Sequence, residues 1–141
     1  MEKIYFVMPA YNEEANIRET VEQWYSLVSK INIWAEKATL VIANDGSKDN
    51  TWGIMQQLMT EYPDFVALDK PNSGHGATVL YLYRYALEQG ADYIFQTDSD
   101  GQTNPEEFWS MWENRKSYDF QIGYRKDRQK SFYSIYYEYN S

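Results

Sequence analysis

Four short apolar segments alternate with amphipathic segments along this chain, and this alternation constrains the fold more than any other feature. The apolar segments are rich in residues that favour β-structure and occupy residues 3–8, 39–43, 65–69 and 93–97. Segments of this kind are typical of strands that are buried on both faces. Helix-like segments lie between them, at residues 13–30, 50–61 and 77–89. The order predicts an α/β fold, a mostly parallel sheet with helices on both faces.

The first amphipathic segment collects its apolar residues on one helical face, namely Ile17, Val21, Trp24, Leu27, Val28 and Ile31. A further helix is predicted after Asn104, because Asn104-Pro105-Glu106-Glu107 supplies a cap, a proline at the first helical position and acidic residues in the first turn. Residues 119–122 are a candidate fifth strand. Neither an internal repeat nor a linker interrupts the 141 residues, so we expect one domain.

A polar cluster follows each of the four predicted strands. The clusters are PAYNE at residues 9–13, NDGS at 44–47, KPNSGHG at 70–76 and DSDG at 98–101. In an open parallel sheet, ligands bind in the crevice outside the carboxyl ends of the strands. We therefore expect the four clusters to converge on one site.

Asp98 and Asp100 are candidate metal ligands. They flank Ser99 on the turn after the fourth strand, where a carboxylate could hold Mg²⁺ or Mn²⁺ that also bridges a diphosphate. A polar turn held by the hydrogen bonds of the two aspartates is the structural alternative. An EF-hand loop is excluded, because Thr103 and Trp109 stand where that loop requires glycine and glutamate.

The segment Gly74-His75-Gly76 opens a predicted helix, whose free N–H groups can bind a phosphate. A dinucleotide-binding fingerprint is excluded, because Val79 stands where its third glycine would be. His75 could donate to a phosphate or cap the turn. Arg125 and Arg128 follow the candidate fifth strand and could face a phosphate, or they could simply be solvated.

The first two clusters contain candidates for recognising a nucleoside. Asp45 could accept hydrogen bonds from a base or a ribose, or it could close a tight turn before a helix. Tyr11, Asn12 and Glu13 could line a base pocket, although Asn12 is also a plausible N-cap for the first helix. In each of these two clusters, a nucleoside-binding role and a structural role in the turn or cap are compatible with each other.

The charge of the chain limits its partners. A formal net charge of -8 disfavours nucleic acid, whose binding requires a clustered basic surface, so no nucleic-acid partner is expected. An anionic ligand would need a helix N-terminus, a few arginines or a bound cation. The absence of cysteine, of a signal peptide and of any apolar run of about 20 residues predicts a soluble, cytoplasmic chain.

In order and spacing, the four clusters resemble the signature of family-2 glycosyltransferases. The matching segments are MPAYNEE at residues 8–14, NDGSKDNT at 44–51, NSGHG at 72–76 and DSDGQ at 98–102. The DGQ segment followed by NPEE is most similar to the polyprenyl-phosphate branch, which includes the dolichyl-phosphate mannosyltransferases. The resemblance spans residues 3–128 and implies the Rossmann-like GT-A fold of nucleotide-diphospho-sugar transferases.

The resemblance also implies residue roles. The implied nucleotide-binding set is Pro9, Tyr11, Glu13 and Asp45. Asp98 and Asp100 would sit at the metal and diphosphate, and Arg125 would hold the donor diphosphate or an acceptor phosphate. The sequence departs from the family at Leu82, where glycine is common, and at His75, where lysine is frequent. Either departure could narrow the donor pocket or weaken phosphate binding.

The implied activity is transfer of a sugar, with inversion, from a nucleoside-diphosphate sugar to an acceptor such as a polyprenyl phosphate. Residues 1–130 would form the nucleotide-sugar-binding part, and residues 131–141 the aromatic-rich start of an incomplete acceptor-side region. Because the family's catalytic domain normally continues well past residue 141, we expect a fragment. Its catalytic base would lie beyond the C-terminus, or a lipid phosphate would need none.

Two alternatives stay open at this point. The first is a nucleotide-sugar-binding module without turnover, because the acceptor half is missing. The second is a phosphatase of the haloacid dehalogenase type, whose nucleophile motif is also DxDG, although only 41 residues follow Asp100. A homodimer and a position at the membrane periphery in the full-length protein are further expectations.

Overall fold

The protein, described by a computed structural model over residues 1–34, 37–124 and 133–138, is one six-stranded sheet flanked by helices. Its elements are β1 Lys3–Ala10, α1 Ile17–Ile33, β2 Lys37–Asp45, α2 Thr51–Glu61, β3 Phe65–Lys70, α3 His75–Glu88, β4 Tyr93–Gln96, α4 Phe108–Glu113, β5 Phe120–Tyr124 and β6 Tyr133–Glu138. A 3-10 turn, Pro105–Glu107, precedes α4. Within this part of the chain, the helices are too short or too polar to cross a bilayer.

The strand order in the sheet is β3-β2-β1-β4-β6-β5. The first four strands are parallel, and β6 runs antiparallel to both β4 and β5. The chain steps outward from β1 to β3 and then returns to place β4 on the other side of β1. The order therefore reverses between β1 and β4, and such a switch point is where open α/β sheets bind ligands. The predicted mostly parallel sheet is confirmed.

Helices cover both faces of the sheet, as predicted. Ile4, Phe6 and Met8 of β1 pack on the face that carries α1, α2 and α4, whereas Val7 packs on the face that carries α3. This alternation follows from the two-residue period of a strand. The apolar face predicted for α1 is buried in full: Ile17, Val21, Trp24, Leu27, Val28 and Ile31.

An aromatic cluster joins β1, α1, β4 and α4. Its members are Phe6, Trp24, Phe95 and Phe108, and their ring centroids lie 4.9 to 5.8 Å apart. Tilted and edge-to-face pairs of this kind stabilise a fold by about 0.5–1.5 kcal/mol each beyond the burial of their area. The cluster fixes both β4 and α4, so the loop between them starts and ends on anchored elements.

Helix α1 begins at Ile17, four residues later than the predicted segment. Asn12 has a left-handed backbone, with φ 53°, and is not an N-cap. The backbone N–H groups of residues 12–14 instead donate to the side chains of Ser47 and Asp49 in the loop after β2 and of Thr51, the first residue of α2. Residues 12–16 therefore form a loop that is tied to its neighbour.

The remaining elements agree with the sequence pattern in part. The Asn104 side chain accepts a hydrogen bond from the Glu106 N–H at 3.0 Å, as expected of a cap, but the first turn is 3-10 rather than α-helical. The candidate strand at residues 119–122 is β5, and α3 begins at His75, two residues earlier than predicted. Strand β6 was not predicted.

Candidate functional site

The turn after β4 is anchored through its middle residue. Ser99 is buried, and its Oγ donates to the Pro9 carbonyl oxygen at the end of β1, at 2.9 Å. The Ser99 carbonyl oxygen accepts from the Thr20 hydroxyl on α1, at 3.2 Å. Because Ser99 faces inward, Asp98 and Asp100 on either side of it lie at the surface of a cleft.

The two aspartates have different partners. Asp98 Oδ1 lies 2.8 Å from His75 Nε2, which joins the turn after β4 to the start of α3. Asp100 Oδ1 accepts from the Gln102 N–H at 3.0 Å, the local bond expected of a polar turn. Gly101, between Asp100 and Gln102, adopts φ 78°, a conformation that favours glycine. The polar-turn geometry is therefore present, and it leaves both carboxylates on the cleft.

Asp45 ends β2 and is only 4% exposed. Its carboxylate accepts from Lys70 Nζ at 2.8 Å and from the N–H groups of Ser73 and Gly74 at 2.8 and 3.0 Å. Burial opposes ionisation, but the hydrogen bonds from Lys70 and Ser73 outweigh it and hold the pKa of the Asp45 carboxyl below its ordinary value. The Asp45 carboxylate is therefore occupied largely by its own chain.

Helix α3 begins at the wall of the cleft. Gly74, its N-cap, has φ 97°, which a residue with a side chain rarely adopts. The N–H groups of His75, Gly76 and Ala77 belong to the first turn and bond to no carbonyl in the described part of the chain. A methyl group added at Gly76 would meet no atom within 4 Å. The amino end of α3 is thus open to a ligand.

These elements enclose a cleft of about 470 Å³ at the switch point between β1 and β4. Its lining is Pro9, Ala10, Tyr11, Glu13, Asp45, Asn72, Gly74, His75, Asp98, Ser99 and Asp100. All four polar clusters contribute, so the predicted convergence is confirmed. Gly76 lies just beyond the lining, and Arg125 and Arg128 lie outside the described residues.

A larger groove of about 650 Å³ lies between α1 and residues 101–106. Of the four polar clusters, only the last reaches it, through Gly101. The smaller cleft is therefore the better candidate site, because all four polar clusters line it, whereas only one of them reaches the larger groove.

Glu13 adds a carboxyl group to the cleft, and its surroundings disfavour the ionised form. Burial raises the pKa of its carboxyl, and the negative charges of Asp100, Asp49 and Asp98 raise it further, although Asn16 donates a weak hydrogen bond at 3.5 Å. Carboxylates that repel one another are stabilised by a cation placed among them. The electrostatics of this end of the cleft therefore favour a positively charged ligand.

The donor set suits a hard divalent cation. Asp98, Asp100 and Glu13 offer only carboxylate oxygens, which Mg²⁺ and Mn²⁺ prefer. Among the residues of known placement, no three histidine, aspartate or glutamate side chains form a ready-made metal cage. Mg²⁺ is commonly held by one or two carboxylates together with water and substrate phosphates. The residues present fit a cation of that kind.

Lys70 was included in the third polar cluster of the sequence but was given no role there. Its side chain is only 10% exposed and pairs with Asp45. Most lysines at the end of a strand are solvated, so the residue type alone gave no signal. The neighbouring strand could have provided a signal. β3 ends in a lysine and β2 ends in an aspartate, and parallel neighbours bring their carboxyl ends together.

A sequence-family profile described as Glycosyl transferase family 2 matches residues 5–138. The chain belongs to glycosyl transferase family 2. The resemblance stated from the sequence is confirmed, and membership of this family argues against the phosphatase alternative, which rested on the DxDG motif alone.

Two curated relatives illustrate the similarity. A dolichyl-phosphate beta-glucosyltransferase of Trichomonas vaginalis is 31% identical over 115 residues, covering 79% of this chain and 33% of its own length. A UDP-N-acetylglucosamine–dolichyl-phosphate N-acetylglucosaminyltransferase of Methanococcus voltae is 28% identical over 144 residues, covering 92% of this chain and 54% of its own length. The chain therefore spans about a third to a half of these relatives.

A solved structure supports the fold. The mannosyltransferase of Pyrobaculum calidifontis, in complex with GDP-Man and Mn²⁺, superimposes with a TM-score of 0.59 at 20% identity. The match covers 69% of this chain and 27% of that one. This family 2 chain thus has the parallel sheet and flanking helices of the GT-A glycosyltransferases, as the resemblance implied.

Proposed function

We propose that this chain binds a nucleoside-diphosphate sugar in the 470 Å³ cleft and forms the donor side of an inverting glycosyltransferase. The observation that carries the proposal is the convergence of all four polar clusters on one cleft at the switch point of the sheet. The dolichyl-phosphate transferases among the relatives support a polyprenyl phosphate as the acceptor.

The nucleoside would lie against the clusters that follow β1 and β2. Tyr11 is 43% exposed, and its ring combines an apolar body with a polar tip, which suits contact with a base or a ribose. Pro9, Glu13 and Asp45 also line the cleft. We assign the nucleoside contacts to these four residues, with Asp45 the most buried of them.

The diphosphate would lie at the amino end of α3. The open N–H groups of the first turn and the helix dipole favour an anion there. Gly74, His75 and Gly76 form this part of the site. Arg125 and Arg128 lie outside the described residues and are assigned to the diphosphate from the sequence alone. Arg125 is assigned on the family resemblance, and Arg128 on its position after the candidate fifth strand.

Asp98 and Asp100 would hold Mg²⁺ or Mn²⁺. When bound there, the cation neutralises negative charge on the departing nucleoside diphosphate. Ser99 keeps both carboxylates on the cleft through its bond to Pro9, and His75 orients Asp98. The Mn²⁺ in the Pyrobaculum calidifontis complex supports the choice of a divalent cation.

The acceptor would approach the sugar from the face opposite the diphosphate, which gives inversion. A polyprenyl phosphate resembles other phosphomonoesters, whose second pKa is about 6, so it is largely dianionic at neutral pH and needs no general base. This matches a cleft in which we assign no base. In the full-length protein, a lipid acceptor implies a cytoplasmic catalytic part at the membrane periphery.

Binding of the donor without transfer is the second candidate, because the chain spans only 33% and 54% of the two relatives described above. Donor binding is common to both candidates. Incubation of the chain with a nucleotide sugar and a short polyprenyl phosphate separates them, since only the first candidate yields a glycosylated lipid.

Calorimetric titration tests donor binding itself. We expect one of UDP-glucose, UDP-N-acetylglucosamine or GDP-mannose to bind in the presence of Mn²⁺ or Mg²⁺ and about tenfold more weakly without it. Asp100→Ala should lose the metal-dependent part. Asp92→Ala is the matched control, because Asp92 lies at the amino end of β4, away from the cleft. A parent that binds none of the three sugars, or Asp100→Ala affinity equal to that of the parent at saturating Mn²⁺, contradicts the proposal.

A further inference from the structure

Two hydrogen bonds in opposite directions join Asn12 to the loop after β2. The Asn12 N–H donates to Ser47 Oγ at 2.9 Å, and the Lys48 N–H donates to Asn12 Oδ1 at 2.8 Å. The backbone of Asn12 is left-handed, with φ 53°, a conformation that asparagine adopts more readily than most residues with a side chain. The unusual backbone and both bonds thus occur at the residue that directly follows Tyr11.

The next residue, Glu13, is held by a buried hydroxyl. Thr51 is fully buried, and its Oγ1 accepts from the Glu13 N–H at 2.9 Å and donates to Asp49 Oδ1 at 2.5 Å. Because the hydroxyl proton is directed at Asp49, the oxygen lone pairs remain for Glu13. Burial opposes ionisation of Asp49, but hydrogen bonds from Thr51 and from the Glu14 N–H outweigh it and hold the pKa of the Asp49 carboxyl below its ordinary value.

Ser47 has the same double role as Thr51. Its Oγ donates to Asn44 Oδ1 at 2.5 Å and accepts from the Asn12 N–H. Asn44 is buried in β2, and its side-chain amide donates to Asp69 Oδ1 on β3 at 2.9 Å. Asn12 is therefore connected through Ser47 to two strands of the sheet.

These bonds lie behind the wall of the donor cleft. Tyr11 and Glu13 belong to the described lining of the cleft, on either side of Asn12. Three residues that bond to Asn12 or Glu13 do not belong to that described lining: Ser47, Lys48 and Thr51. Since φ and ψ are the only soft torsions of the backbone, the conformation of Asn12 sets the direction of the Tyr11 side chain relative to that of Glu13.

We infer that Asn12, Ser47 and Thr51 are positioning residues for the nucleoside: their hydrogen bonds fix the backbone of residues 11–13 and thereby direct two side chains of the first polar cluster into the cleft. The inference rests on the proposed function. The three residues act through the side chains on either side of Asn12 and do not touch the nucleoside. The segment after β2 then has two uses, because Asp45 lines the cleft and the residues that follow it support the first cluster.

The inference predicts a selective loss of affinity. Thr51→Val removes a hydroxyl and keeps the shape of the side chain, and Asn12→Ala removes the Oδ1 acceptor. We expect each to weaken binding of uridine or guanosine by about tenfold or more, because the side chains that contact the nucleoside lose their orientation. Binding of inorganic pyrophosphate with Mg²⁺ should change by less than about twofold, since Asp98 and Asp100 lie on the turn that Ser99 anchors separately. Isothermal titration calorimetry measures both affinities.

Thr51→Ser is the rescue variant, because it restores the hydroxyl and lacks only the methyl group. We expect it to bind the nucleoside more tightly than Thr51→Val does, whereas a packing effect would reverse that order. Thr60→Val is the matched control: Thr60 is an exposed residue of the same helix, and its hydroxyl donates to the Gln57 carbonyl oxygen at 2.6 Å. It should bind every ligand as the parent does. Asn12 is exposed, so Asn12→Ala keeps the test open even if Thr51→Val does not fold.

The outcomes separate the two proposals. If the parent binds neither UDP nor GDP, the proposed function fails and the positioning role fails with it. If the parent binds one of them, and Asn12→Ala and Thr51→Val bind its nucleoside as tightly as the parent, only the positioning role is overturned. Equal losses of nucleoside and pyrophosphate affinity would indicate a general effect on the fold, and nucleoside binding by Thr51→Ser as weak as that by Thr51→Val would indicate an effect of packing. Either result also overturns the inference.

Discussion

Gly76 is the second residue of α3, and a methyl group at this position would meet no atom of the chain within 4 Å. Its φ is not in the left-handed region, so alanine fits without strain. We expect Gly76→Ala to raise the free energy of unfolding by about 0.4–1 kcal/mol, because alanine favours the helix and restricts the unfolded chain. Chemical denaturation measures this change.

The same substitution should weaken diphosphate binding at least tenfold, because the added methyl group occupies space that the phosphates need near the helix N-terminus. Nucleoside affinity, measured by the same calorimetric titration, should stay unchanged. A variant that is more stable and binds the diphosphate as tightly as the parent would remove the amino end of α3 from the proposed site.

Glu13 tests the electrostatics of the cleft. A carboxyl with a raised pKa in the folded chain destabilises the fold when it is ionised, and this penalty disappears as the pH falls below the unfolded-state pKa of about 4.3. We therefore expect Glu13→Gln to raise the free energy of unfolding at pH 7 by about 0.5 kcal/mol, a small value because solvent screens a partly exposed carboxylate.

Urea denaturation at about pH 7 and about pH 3.5 measures this difference above and below the ordinary glutamate pKa of about 4.3. The gain should be present at the higher pH and absent at the lower. Glu14→Gln is the control, since Glu14 is an exposed neighbour. A Glu13→Gln variant that is less stable than the parent at pH 7 would show that Glu13 is not repelled in the cleft.

At the residue scale, the sequence predicted the lining of the cleft but not the contacts within it. Asp98, Asp100 and His75 were nominated because each follows a predicted strand. The His75–Asp98 contact could not be foreseen, because the two residues belong to different elements whose separation depends on the packing of α3. The same holds for Lys70 and Asp45, which adjacent strands bring together.

Among the elements, strand β6 has the largest consequence for stability, because it lies between β4 and β5. Deletion of residues 131–141 removes the hydrogen-bond partner of both neighbours. We expect the deletion to lower the free energy of unfolding by several kcal/mol, a large part of the roughly 5–15 kcal/mol typical of a domain. Donor affinity of the folded fraction should change less.

Thermal unfolding and solution mass measure the effect of the deletion. Removal of residues 139–141 alone is the control, since β6 ends at Glu138. An unchanged melting temperature and mass, together with loss of binding to liposomes, would reject the packing role and favour a membrane-facing role for the aromatic tail.

The elements that could be predicted are those with a strong local pattern. The buried face of α1 was predicted residue by residue, because a helix repeats every 3.6 residues whatever packs against it. Strand β6 was missed because its sequence, YSIYYE, lacks the alternation of apolar and polar residues that is typical of a half-buried strand. Its position also depends on partners that are distant in the sequence. The start of α1 was misplaced because side chains from the loop after β2 and from the first residue of α2 hold residues 12–14.

For the whole molecule, the fold class followed from the alternation of strands and helices, and the location of the site followed from the fold class. Both steps rest on general properties of parallel sheets. The division into residues 1–130 and 131–141 remains a prediction. These properties of parallel sheets do not predict the antiparallel position of β6 between β4 and β5, because antiparallel pairing requires no crossover helix.

The position of β6 has a consequence for biosynthesis. Ribosomes add about 5–20 residues per second, and Tyr133–Glu138 emerges well after β1–β4 can pair. Until then, the nascent chain presents one side of β4 as an unpaired strand edge, which can pair with a neighbouring chain. Strand β5 emerges first but cannot protect that edge, because it pairs with β6 and not with β4. The interval between the synthesis of β4 and that of β6 is therefore when this edge is open to pairing with another chain.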